Sequence, residues 1–117
     1  MVGLLATYLI RQRRAARRVE QKRIGELAQI AVDTLRNQEL LYYTDPARTA
    51  APYLPVDQLR DLVLQDEPSV KARAALWSRV GAVVEANANV RANLEETAAG
   101  DEARVWRWLG TPGRIAG

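Results

Sequence analysis

The chain has 117 residues, enough for one domain with a modest core, and 48% of them are hydrophobic. It contains no Cys and no His, which excludes disulfides and thiolate metal sites and removes the commonest general base, leaving the carboxylates, Lys71, Ser69 and Ser78 for chemistry. The net charge of +3 is uneven: Met1 to Arg23 holds seven basic residues and one acid, so +6 at this end leaves −3 for the rest. The basic pI therefore describes a leader, and the globular part is mildly acidic.

Met1 to Ile10, MVGLLATYLI, carries no charge and is too short to span a bilayer, which needs ~20 apolar residues. It lacks the basic start and small-residue cleavage site of a signal peptide. RQRRAARR follows at once. An apolar run ending in dense arginine is how the cytosolic end of a transmembrane helix reads. Residues 1–18 are accordingly expected to be the end of such a helix and a basic juxtamembrane stem, with Arg11, Arg13, Arg14, Arg17 and Arg18 next to the membrane; the alternatives are a short amphipathic lead-in to the next helix and a nuclear-localisation or nucleic-acid arm.

Val19 to Leu41 reads as a long helix, with Ile24, Leu27, Ala31, Leu35 and Gln38 at three- to four-residue spacing and Ala28 beside them. Gly25 marks where the stem meets the domain. Pro46 ends the helix by disfavouring a helical residue before it. The proline-rich stretch from Thr44 to Pro55 is a loop, within which Tyr53-Leu54 reads as a short first strand. A second helix begins at Pro55-Val56-Asp57, with Val56, Leu59, Leu62 and Val63 inward. Ser69 is positioned to cap a third helix. In that helix Leu76, Val80, Val83, Val84 and Asn87 follow the helical period, and Trp77 lies on the flank.

The pattern then changes period. Val90, Ala92 and Leu94 alternate with Arg91, Asn93 and Glu95, as in a strand. Ala98-Ala99-Gly100-Asp101 makes a turn in which Gly100 takes a positive φ. Arg104 to Leu109 returns, with Trp106 and Trp108 on one face. Helix followed by hairpin gives an α+β fold, a winged helix of three helices and a two- to three-stranded wing, preceded by a basic helical stem. The domain is expected to occupy residues 19–110, with a loose tail over 111–117.

In a small core without Phe, Trp77, Trp106 and Trp108 are expected mainly as packing. Asn87 and Asn89 are expected to shape the helix-to-strand corner, by left-handed geometry and local backbone bonds. Glu85 is expected to pair with Arg79 or Arg91. No residue set is competent for catalysis, and no cofactor or metal site is expected. The outward arginines Arg73, Arg79 and Arg91 are the candidate partner-binding residues.

Four ordered segments resemble a known family: YLPVDQLRDLVL at 53–64, ALWSRVGAVVE at 75–85, VVEANANVR at 83–91 and RVWRWLG at 104–110. They look like the MSC domain that ends the LEM-family proteins of the inner nuclear membrane. The resemblance covers residues 19–110, and the leader fits it too, since in that family a basic stretch after the second transmembrane helix leads into this domain. It implies a non-enzymatic winged helix on the nucleoplasmic face of the inner nuclear membrane. It also implies recruitment of an ESCRT-III-type membrane-remodelling adaptor for sealing and surveillance of the nuclear envelope. Some members bind DNA. Here the third helix offers Lys71, Arg73 and Arg79 against Glu85, so DNA tethering is the alternative, with weak binding expected.

Overall fold

The computed structural model describes residues 2–49, 51–97 and 99–110. Helix α1 runs without a break from Val2 to Thr44. The stem and the first domain helix are therefore one helix. Forty-three residues at ~1.5 Å each make a rod of about 65 Å, which sets the long dimension of the molecule, 67 Å. Residues 3–19 of the rod are all exposed, and its first buried residue is Ile24, beside Gly25. No helix among the described residues is long and apolar enough to cross a membrane.

Strand β1 (Tyr53–Pro55) leads directly into α2 (Val56–Val63), and α3 spans Val70–Ala86. Strands β2 (Val90–Glu96) and β3 (Glu102–Trp108) form the hairpin, and the antiparallel sheet has the order β1-β3-β2. This is the winged helix expected, with three strands in the sheet and the first of them at Tyr53–Pro55. The Ser69 hydroxyl accepts the Ala72 N–H at 3.2 Å and caps α3. Gly100 has φ of 92°, the conformation the hairpin turn requires.

The core joins Ile24, Ala28, Ala31, Val32 and Leu35 of α1 to Leu59 of α2, Val80 and Val84 of α3, and Leu54, Trp106 and Trp108 of the sheet. Three expected inward residues lie outside it: Leu62, Val83 and Leu94 are 49%, 48% and 65% exposed. Helix α2 has only two turns and seats itself through Leu59, so Leu62 falls beyond the contact. In α3 the inward line is set by Val80 and Val84, and Val83 points a quarter-turn away. Leu94 stands opposite the exposed Arg104, one pair closer to the hairpin tip than the buried Val105.

At the far end of α1, Gln38 is half-buried and donates to the Ala51 carbonyl at 2.8 Å, tying the helix to the approach to β1. Its neighbour Glu39 is buried, which the apolar periodicity gave no reason to expect.

Candidate protein-docking surface

The corner between α3 and β2 fixes how the wing is presented. The Asn87 carboxamide oxygen accepts the Asn89 N–H at 2.9 Å, and the Asn89 carbonyl accepts the Leu109 N–H at 2.7 Å. The local backbone bonding expected of these residues is present. The left-handed geometry is not, since no described non-glycine residue has a positive φ. The corner closes through the hydrogen bonds instead. Gly110 completes it by close approach, because a Cβ there would collide with the Asn89 side chain.

Trp106 lies against α3 at Gly81, with the Trp77 ring 5.5 Å away, centroid to centroid. Its indole N–H donates to Glu85 Oε2 at 3.0 Å, and Arg104 pairs with the same carboxylate. Burial pushes the Glu85 carboxyl up, but hydrogen bonds from Arg104 and Trp106, with the Arg104 charge, outweigh it and hold the group below its usual range. The pairing expected with Arg79 or Arg91 is thus replaced by Arg104, which the hairpin register brings above α3. Trp108 is buried, with the Arg36 guanidinium 5.3 Å from its ring centroid.

The three candidate arginines go to different places. Arg73 donates to the Glu67 carbonyl at 2.8 Å and stands 3.9 Å from the Asp61 carboxylate. Arg79 pairs with Glu20 of α1, while Arg23 lies 3.5 Å from Glu67. The Arg79–Glu20 pair fastens α1 to α3 and the Arg23–Glu67 pair fastens it to the loop before α3, so two of the three arginines, Arg73 and Arg79, are engaged within the fold. Arg91 is exposed on β2, directly opposite Arg107 of β3. Among the described residues from Ile24 onward, the basic side chains without a carboxylate within 4.0 Å are Lys71, Arg91 and Arg107.

Residue-by-residue reading missed Arg107, because its importance depends on the strand register. The signal was available: a hairpin closed around residues 97–101 sets Arg107 across from Arg91. The five arginines expected next to the membrane are all exposed on α1. At about 100° per residue, Arg11, Arg14 and Arg18 share one side, with Arg13 and Arg17 beside them. The acids Glu95, Glu96, Asp101 and Glu102 gather at the hairpin tip.

The fold is that of a winged-helix domain carried on a long basic helix. The chain belongs to the family described as the Man1-Src1p-C-terminal domain, which it matches over residues 1–111. It is also similar to the inner nuclear membrane protein SRC1 of Saccharomyces cerevisiae, at 35% identity over 92 residues, 78% of this chain and 11% of that protein. The chain thus spans about a tenth of the relative it matches. No solved structure matches the chain.

Proposed function

We propose that this is a non-enzymatic adaptor domain held at the nucleoplasmic face of the inner nuclear membrane, where it recruits an ESCRT-III-type membrane-remodelling protein for nuclear envelope sealing and surveillance. The observation that carries the reading is the single helix α1, which joins an apolar segment and an exposed arginine run directly to the winged helix. Anionic lipid attracts each such Lys or Arg by roughly 1 kcal/mol near the surface. The first ion pair between α1 and the rest of the domain, Glu20 to Arg79, comes ten residues after Ile10, or about 15 Å along the rod. A partner docked on the domain would therefore sit close to the bilayer. Membership of the family and the location named for the similar SRC1 protein support the nuclear setting.

DNA tethering is the weaker alternative. Duplex binding needs several free cations facing the phosphates. In α3, Arg73 and Arg79 are engaged within the fold, and the wing tip is acidic. Calorimetric titration of the full chain with a purified ESCRT-III-type protein, and separately with duplex DNA at physiological salt, tests the proposal. Saturable binding of the protein is expected, with weak, salt-sensitive binding of DNA. Tight DNA binding with no protein binding would reverse the assignment.

A further inference from the structure

We infer that the Arg91–Arg107 row of the sheet is a carboxylate-binding site for an extended acidic segment of a partner protein; this rests on the adaptor reading and supplies its docking surface. In the register, Tyr53, Arg107 and Arg91 stand side by side across the three strands and share one face. Directly opposed residues have Cβ atoms ~4.5–5.5 Å apart, and like charges there repel. Among the described residues, no carboxylate lies within salt-bridge distance to offset that repulsion. Arg107 is partly committed: one of its guanidinium nitrogens donates to the Tyr43 hydroxyl at 3.1 Å, which orients the fork, and its Nε–H is buried with no hydrogen-bond partner. Arg91 is exposed beside it. An incoming carboxylate would remove the repulsion and accept from planar forks suited to bidentate recognition.

Two features select an extended acidic peptide over a long polyanion. The chain from Ile24 onward has a net charge of −3. The four acids of the hairpin tip lie along the same strands, beginning about 14 Å from the arginine row at Glu95. A nucleic acid following the hairpin would meet them, whereas a short acidic segment ends before reaching them. In addition, β2 is an edge strand of the sheet, so its outer backbone groups are placed to pair with an extended chain.

The test is an NMR titration of the full chain with a synthetic peptide alternating Glu and Thr, following backbone amides and arginine Nε–Hε signals. The seven basic residues of the leader also attract the peptide, so the readout must be resolved by residue. The Arg91 and Arg107 signals are expected to move with this peptide and to stay still with its Gln-for-Glu counterpart. Arg91→Glu should weaken the site by at least about tenfold, the loss of a charged hydrogen bond, with a Tm no lower than wild type, because the new carboxylate faces Arg107 and removes the like-charge repulsion. Arg107→Lys, which keeps the charge and removes the fork, should weaken it as well. The inference is overturned if the shifts fall elsewhere, if Arg91→Glu binds as wild type, or if duplex DNA moves the two signals more strongly at physiological salt. Failure here with the ESCRT-III-type protein still bound in calorimetry would remove this surface and leave the adaptor role standing.

Discussion

Replacing Trp106 by Ala tests the packing that fixes the wing to α3. The ring is 2% exposed and bridges Gly81, Trp77 and the Glu85 carboxylate. A tryptophan buries 150–250 Å², and at about 25 cal/mol/Å² that corresponds to ~4–6 kcal/mol as an upper bound. The retained Cβ and partial collapse of the site reduce this, so a loss of about 3–5 kcal/mol is expected, within the range of large-to-small core substitutions. For a chain of this length the Tm should fall by roughly 12–20 °C. Urea unfolding followed by far-ultraviolet circular dichroism gives the free energy directly. Trp106→Phe separates two parts of the effect: it keeps much of the ring and loses the N–H to Glu85, and should cost about 1.5–3 kcal/mol. A loss below about 1 kcal/mol for Trp106→Ala would show that the wing is not held by this ring.

Trp108→Ala should also destabilise by about 3–5 kcal/mol, since its ring is buried beneath Arg36; an unchanged melt with lost partner binding would make it an exposed contact instead. Glu85 is held below the usual carboxylate range when folded, so its contribution is present above its unfolded pKa and lost as pH falls through the folded value. Acid unfolding of Glu85→Gln should therefore show less loss of stability below the usual carboxylate range than wild type, and identical profiles would refute the pairing. Ser69→Ala should cost about 1 kcal/mol through loss of the α3 cap, read by urea unfolding; no change would mean the Ala72 bond carries nothing. Changing Arg11, Arg13, Arg14, Arg17 and Arg18 together to Gln should abolish sedimentation with anionic vesicles, and unaltered binding would place the attraction in the globular part.

Much of the fold was legible because α3 and β3 carry clear periods. Val80 and Val84 repeat at helical spacing, and Trp106 and Trp108 alternate onto one face. The Ser69 cap and the Gly100 turn follow from local chemistry that needs no tertiary information. That the helical stem and the first domain helix are one uninterrupted helix could not be read from side-chain character, because helix continuity depends on backbone bonds and not on the change from apolar to basic side chains. Leu62, Val83 and Leu94 were misplaced because apolar identity does not say how far a neighbouring element reaches. Electrostatic pairing was least legible. Arg79 meets Glu20 across 59 residues, and Arg104 takes the carboxylate expected for Arg79 or Arg91. Arg107 became a candidate only when the register set it opposite Arg91.

The adaptor role is tested most directly on a membrane. The 117-residue chain bound to anionic vesicles would be mixed with a purified ESCRT-III-type protein, and the protein carried down with the vesicles measured. Recruitment that requires the chain, saturates and survives added duplex DNA is the expected result. An equal amount of protein carried down without the chain, or none with it, would contradict the account.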